Sequence, residues 1–519
     1  MSPSPALLVG LIVGMHLGCL QVACSQVQPP AAEQAPRSVV VVAEPGAPDG
    51  SDQLQNGQAG LAESVLGTAL DNLPFKPTGK KLASIAWRTW VYTDTGPQRT
   101  RYGYLRAGAI VDVRGPEIKN SGCEGGWYRV NPRGYVCLGK GATLDLSHEV
   151  VTQAAVRPER GKGLPYLYAM STPHPPFQYF RLPSVEEVMV VEGRDYAINV
   201  ANWREKAKRL GWRELLGEPE PPPQFLKDVR KLSKPYGVKT GLHYSVHAGQ
   251  ASADAGFSIQ RTFIWENREY GLTTELDVLP LDRLEIVKPT TFHGVQLEEG
   301  EGLPVAFAEP GPSMRYTRAE AGGMLPGEAL MHRQGVKLTG QSASGGFLET
   351  REGDFVPQVG LRLIGPRDSF PSFVTGDRKW IDISIRQQSL VAYVGRRPVY
   401  ATLVSTGRGG LADPEKSFAT VRGTFMIHHK AVSSTMDGDD DKSDSFNLLD
   451  VPFVQYFHKG YALHGTYWHD EFGRERSHGC VNLAPQDAAW LFEWTDPQVP
   501  SDWHATLNME RGTVVYIHA

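Results

Sequence analysis

At 519 residues the chain is too long for one ordinary domain, and with 41% hydrophobic and 21% charged residues its composition is that of a globular protein. A formal net charge of -4 leaves no basic footprint, so nucleic acid is not an expected partner. Fifty-five glycines and thirty-eight prolines point to short strands and many turns rather than a helical bundle.

Residues 1–24 read as an export signal, with the apolar run "ALLVGLIVGMHLGCLQVAC" ending on small residues. The run is short and punctuated by glycine, which disfavours a membrane-spanning helix. Cys24 follows Val22-Ala23 as in a lipoprotein cleavage box, although Gln21 stands where a leucine is expected. Cleavage with or without a lipid tether on Cys24 therefore stays open. Residues 25–79, rich in Pro, Ala, Gln and Gly, read as a flexible linker. The expected location is the periplasm or cell envelope. Of the five cysteines, Cys19 and Cys24 belong to the leader, while Cys123 and Cys137 sit at the edges of strand-like runs in "GCEGGWYRVNPRGYVC". In an oxidising compartment those two are expected disulfide partners. Cys480 is left over, either as an inert buried residue or as a reactive thiol.

Residues 80–148 alternate aromatic and β-branched runs with glycine-rich turns, the pattern of a small β-barrel. The "GGWYRV…GYV" hairpin resembles bacterial SH3-like modules, which implies wall or partner binding; a structural spacer is the equal alternative. "GGFLETREGDFV" (345–356) aligns without a gap to "GGWYRVNPRGYV" (125–136), so residues 301–370 are expected to form a second SH3-like β-domain. Between them, residues 149–300 carry helix-forming stretches up to "GEPEPPPQ" and strand patterns after it, a mixed α+β region of unassigned role. His243 and His247 fall on a strand pattern there and read as structural. Residues 379–519 begin with a hairpin turning at "VGRRP", and "GTFMIHHK" reads as one strand, on which only one of His428 and His429 faces inward. "MDGDDDKSDSFNLLD" reads as a solvated acidic loop, since it lacks the EF-hand glycine and terminal Glu. "PQDAAWLFEW" reads as a helix with proline in its first turn.

The chemistry concentrates in "LHGTYWHDEFGRERSHGCVNL" (463–483). His464, His469, Asp470, His478 and Cys480 offer metal-ligating atoms, but their spacing fits neither a helical HExxH pair nor a CxxC knuckle, and no metal or cofactor is expected. A thiol attacks a carbonyl as thiolate, so a nucleophilic Cys480 needs a base. His464, on the strand-like run sixteen residues upstream, is placed to supply one. Gly479 lets the backbone approach a substrate, and the N–H groups around Gly479 and Cys480 are candidates for an oxyanion site.

"HGTYWHDEFGRERSHGCVNL" resembles the signature of YkuD-type L,D-transpeptidases, and the upstream "VSTGRGG…TVRGTFMI" resembles the same family's strand pair. The resemblance covers about residues 379–519. It implies a mainly β, multidomain protein: a C-terminal YkuD-like β-sandwich with a small helix, preceded by the SH3-like modules and the mixed middle region. It implies Cys480 as nucleophile, His464 as general base, and the Gly465 carbonyl as the group orienting the imidazole. Ser477, His478, Gly479 and Asn482 would shape the oxyanion and substrate side, Asn482 standing where the family often has Arg. Trp468 is either a groove wall or a core aromatic, and His469 has no assigned role. The family's T-P-x-G-x-F is Thr420-Val421-Arg422-Gly423-Thr424-Phe425 here, which alters a turn rather than a catalytic group. The implied reaction is acyl transfer from a tetrapeptide stem of peptidoglycan to a diaminopimelate amine, giving 3-3 cross-links, with carbapenems acylating the same thiol. Hydrolysis by an L,D-carboxypeptidase, anchoring of a protein lysine, and a non-catalytic wall-binding scaffold are the alternatives.

Overall fold

Glycine-punctuated alternation gives short strands throughout, and the computed structural model of the protein describes residues 78–193, 196–227, 233–238, 246–437 and 447–519. The leader with Cys19 and Cys24, the linker up to residue 77, His243 and the middle of the acidic loop lie outside the described residues. The protein is mostly β, in several sheets.

Residues 81–143 form a seven-strand unit in which Lys81–Ser84 pairs with both Ile110–Asn120 and Ala142–Thr143. Thr89–Tyr92 pairs with Arg101–Leu105 and Tyr135–Cys137, and Cys123–Val130 lies between its two neighbours in sequence. Cys123 and Cys137 are joined in a disulfide, with Cα atoms 5.8 Å apart. Residues 305–364 repeat this pairing strand for strand. Val305–Ala308 pairs with Gly335–Ala343 and Leu361–Ile364, Ser313–Arg318 with Met324–Leu330 and Phe355–Pro357, and Phe347–Thr350 sits between its neighbours.

The region between holds Val185–Glu192, Tyr196–Arg209 and Trp212–Leu216 as helices over a sheet built on Gly256–Trp265. Ser184 and Glu187 cap the first of these helices reciprocally, and Gly217 ends the last.

The C-terminal region is a sandwich. One sheet runs in the order Val295–Gln296, Arg397–Leu403, Ser389–Val394, Lys379–Ser384, Val514–His518, Gly423–Met426. The other joins Ala505–Leu507, His429–Asp437, Asn447–His458, Tyr461–Gly465 and Val481–Leu483. Ile381, Ile383 and Leu390 from the first sheet meet Val432, Phe453 and Leu463 from the second, and Leu491 and Phe492 of the helix Pro485–Trp494 join the same core. The first sheet's outer face is also buried: Trp380, Val391, Tyr393 and Leu403 pack against Phe307 and Ile364 of the second seven-strand unit. The sheet is thus covered on both faces.

The expectation of one strand over "GTFMIHHK" is corrected. Gly423–Met426 pairs with Val514–His518 in one sheet, and His429–Asp437 pairs with Asn447–His458 in the other. The chain crosses between sheets at Ile427-His428, so the two histidines do not alternate on one strand. Burial lowers the basicity of both, and that of His429 to about 3.

Three regions of the chain meet on one carboxylate. Asp450 is fully buried and at φ +50°. It accepts hydrogen bonds from Arg106 of the first unit, Ser258 and Thr274 of the middle region, and Ser433 of the C-terminal sandwich. Tyr168 donates to its backbone carbonyl at 2.6 Å. Burial pushes its carboxyl up, but the Arg106 guanidinium and the three hydroxyls outweigh it and hold the group below its ordinary value. Asp450→Asn leaves Arg106 as an uncompensated buried charge and is expected to lose about 3–5 kcal/mol of stability, read as a lowered denaturant midpoint. Because the group is depressed, the wild-type contribution is present above the unfolded carboxyl's range and is lost as pH falls through the folded value. The wild-type midpoint is therefore expected to fall more steeply in acid than that of the variant.

Candidate active site

The strand Tyr461–Gly465 runs parallel to Val481–Leu483 with Leu463 opposite Val481 and His464 opposite Asn482. Side chains alternate along a strand, so His464 and Asn482 share the face opposite to the core residues Leu463 and Val481. Cys480, one step before Val481, falls on the His464 face, and its side chain meets the cluster containing Ala462 and Trp468. The thiol, half-buried and unpaired, donates to the Gly460 carbonyl at 3.7 Å.

His464 is 2% exposed, and its Nδ1 lies 3.0 Å from the Gly465 carbonyl. A carbonyl only accepts, so Nδ1 carries the proton and Nε2 is the basic nitrogen. Burial holds the imidazole neutral, with its pKa lowered to about 4, and pushes the Cys480 thiol up to about 11. At rest the thiol and the imidazole are therefore both neutral.

The other residues picked out by the motif take distinct places. Ser477 is an internal pin: its hydroxyl donates to the Cys480 carbonyl and accepts from the Gly479 N–H at 3.1 Å. That contact corrects the expectation of an oxyanion donor at Gly479, because this N–H is already engaged. Gly479 is required for another reason. It sits at φ +125°, where a Cβ would come within 2.9 Å of the Tyr461 ring. His478 places Nε2 2.8 Å from Arg408, with its ring edge-on to Phe418. Asn482 is buried, with Nδ2 placed 2.8 Å from His469 Nε2 and Oδ1 without a partner among the described residues. His469 Nδ1 accepts from the Glu471 N–H, so its Nε2 carries the proton and the Asn482 amide is properly turned with Oδ1 toward it. His469, unassigned from sequence, thereby holds the residue two beyond the thiol. The Trp468 ring lies 5.8 Å from that of His464.

Sequence reasoning missed three supports. Thr420 donates to the Gly479 carbonyl and accepts from the Gly407 N–H, both at 2.8 Å, so it ties the "STG" turn to the thiol's loop. Its position in the family's T-x-x-G-x-F pattern was the available signal. Arg333, from the second seven-strand unit, donates to the carbonyl and carboxylate of Asp470 at 2.9 and 2.6 Å. It fixes the loop that presents Trp468 and His469, and no motif marks it. Asp487 accepts from Tyr400, Thr402 and the Gly294 N–H, which seats the strand Val295–Gln296 against the helix. Among the described residues no cluster of His, Cys, Asp and Glu is arranged to hold a metal ion.

Alkylation of Cys480 by iodoacetamide should follow the thiolate fraction, rising about tenfold per pH unit between 7 and 10 and levelling near pH 11, where burial places the thiol's pKa. An ordinary exposed thiol levels off near pH 8.5. Mass spectrometry of the labelled Cys480 peptide gives the profile.

Residues 378–517 match the family model for the YkuD L,D-transpeptidase catalytic domain. YciB of Bacillus subtilis (strain 168), named as a candidate L,D-transpeptidase, is 24% identical over 140 residues, which are 22% of this chain and 59% of YciB. An L,D-transpeptidase crystal structure from Xylanimonas cellulosilytica is 25% identical, covering 29% of this chain and 65% of that one, with a TM-score of 0.20. An L,D-transpeptidase from Mycobacterium smegmatis is 20% identical over 44% of this chain and all of that one, with a TM-score of 0.22. The chain thus spans less than two thirds of the first two relatives. Its C-terminal part, residues 378–517, is a YkuD-type L,D-transpeptidase catalytic domain.

Proposed function

We propose that the protein is a cysteine L,D-transpeptidase that acts on peptidoglycan stem peptides. The observation that carries this reading is the parallel strand pair that sets Cys480 and His464 on one face, with the imidazole's basic nitrogen released by the Gly465 carbonyl. In the first half-reaction Cys480 Sγ attacks the carbonyl between the L-centre of diaminopimelate and the terminal D-Ala. His464 Nε2 takes the thiol proton and returns it to the departing D-Ala amine as the C–N bond breaks. An amine of a second stem then attacks the thioester, the C–S bond breaks, and the proton passes through His464 to the sulfur. The low basicity of His464 and the raised thiol value support general-base transfer within the attack rather than a preformed thiolate.

The flanking units at 80–148 and 301–370 are read as copies of one SH3-like β-domain, supported by their identical strand pairing, and as elements that position the catalytic domain on the wall. The Cys123–Cys137 disulfide supports an oxidising compartment, hence export.

Incubation with tetrapeptide-stem muropeptides is expected to release D-Ala and form dimers, while meropenem adds its mass to Cys480. Cys480→Ala should abolish all three, and His464→Ala should lower turnover by about 10²–10⁴-fold, the range for a lost general base. Release of D-Ala with tripeptide alone would make the enzyme a carboxypeptidase. No release and no adduct would end the enzymatic reading.

A further inference from the structure

Residues 80–148 and 301–370 share their strand pairing but not their charge. The first unit carries eleven Lys and Arg against five Asp and Glu, the second seven against eight. In the first unit part of this charge is ordered on the sheet. Residues directly paired on neighbouring strands share a face. The pairs Arg114 with Arg129, Arg129 with Tyr135, Tyr135 with Tyr92 and Tyr92 with Arg101 therefore make one row across five strands. In the second unit the same row has Glu349 for Arg129, Phe355 for Tyr135, Tyr316 for Tyr92 and Pro326 for Arg101. The two units agree in the rings at the middle of the row and differ at the cations that flank them.

Two arginines at one end are laid on aromatic rings. The Arg101 guanidinium is 4.1 Å from the Trp90 ring, and that of Arg99 is 5.1 and 4.9 Å from Tyr92 and Trp127. Stacking fixes the guanidinium plane and leaves the N–H groups at its edge to fork an oxyanion. Neither arginine has an ion pair among the described residues, and the Arg99 side chain donates only to the Gly96 carbonyl, at 2.8 Å. The same face leads to the thiol. The Trp90 ring meets Tyr104 at 5.4 Å, Tyr104 meets His429 at 6.5 Å, His429 stacks on Tyr456 at 5.2 Å, and Tyr456 shares a cluster with Cys480. Strand pairing is continuous along this path, from Arg101–Leu105 to Val481–Leu483. Five strand spacings make it about 24 Å along the sheet.

The order of groups along the row points to the ligand. Arg101 and Arg129 stand three strand spacings apart, about 14 Å, with two tyrosines between them. A polymer with a charge on every unit would leave anions over the tyrosines. One whose anions are separated by uncharged, hydroxyl-bearing linkers meets cations at both ends and phenols in between. The guanidinium fork suits phosphate oxygens.

We infer that this row binds a linear polyol-phosphate polymer, with phosphodiesters on the arginines and polyol segments over Tyr92 and Tyr135, and that the first β unit, not the second, holds the protein to it. This rests on the positioning role proposed above for residues 80–148 and not on the Cys480 reaction.

The test titrates the full chain with poly(glycerol phosphate) in a calorimeter. Saturable binding that weakens with added salt is expected, with Kd rising about tenfold in Arg99→Ala and in Arg101→Ala, the loss of one charge-assisted hydrogen bond each. Denaturant midpoints equal to that of wild type show that the variants fold, and Arg101→Gln, which keeps a side chain on the Trp90 ring, should give the same loss. Arg351→Ala removes the same charge from the second unit and should leave Kd unchanged. An equal loss there makes the effect one of net charge and overturns the inference, as does an unchanged Kd in the Arg99 and Arg101 variants. Equal affinity for polygalacturonate, whose anions are carboxylates on every unit, also overturns it. So does tighter binding to phosphatidylglycerol vesicles that the same variants abolish, which would make the face a membrane contact. Polymer binding as expected in a chain whose Cys480 takes no meropenem would support the inference while ending the enzymatic reading.

Discussion

The arrangement of the molecule depends on one buried carboxylate. Asp450 brings together the first β unit, the middle region and the catalytic sandwich, through a guanidinium and three hydroxyls. Each donor comes from a segment that is distant in sequence from the other regions' donors. An ionised carboxylate inside a protein is costly unless its lone pairs are filled. Here filling them requires all three regions to be docked at once. The charge therefore acts as a condition on assembly more than as a source of net stability. Two shared strand edges reinforce it: Arg101–Leu105 pairs with Ala505–Leu507, and Gly256 pairs with Leu448 two residues before Asp450.

The same segment leads directly to the site. Asn447–His458 carries Asp450 near its start and pairs with Tyr461–Gly465, the strand that holds His464. Tyr467, just beyond, donates to the Leu449 carbonyl at 3.0 Å and stacks on Tyr168 of the middle region at 4.2 Å. Arg333 fixes the loop's far end from the second β unit. The segment from His464 to Cys480 is thus held in part by Tyr168 and Arg333, outside the matched domain, which helps give the motif its geometry in this chain.

Much of this was legible in the sequence. The alternation at Ile381, Ile383 and Ile385, the turn at Gly395-Arg396 and the helix opened by Pro485 follow from local preferences, because neighbouring residues decide them. The spacing of His464 and Cys480 was legible through the motif. What could not be read were interactions set by the meeting of distant segments. Asp450 follows an acidic loop and looks like more of the same polarity, while the five hydrogen bonds to its carboxylate among the described residues come from residues 17 to 344 positions away. His469 looked like loop polarity because its partner Asn482 is reached only when two strands lie parallel. "GTFMIHHK" looked like one strand because no glycine or proline interrupts it after Gly423, and only the two sheets on either side show where it divides.

The second β unit's packing has a consequence for where the catalytic domain ends. Residues 378–517 mark the family match, yet Trp380, Val391, Tyr393 and Phe472 within it are buried in a cluster completed by Phe292, Leu297, Val305 and Phe307 outside it. The edge strand Val295–Gln296 and the Gly294 N–H on Asp487 also come from outside. A piece cut at the family boundary would present a wet aromatic face and an open sheet edge, the combination that drives edge-to-edge aggregation. In this chain the unit of homology is smaller than the unit of folding.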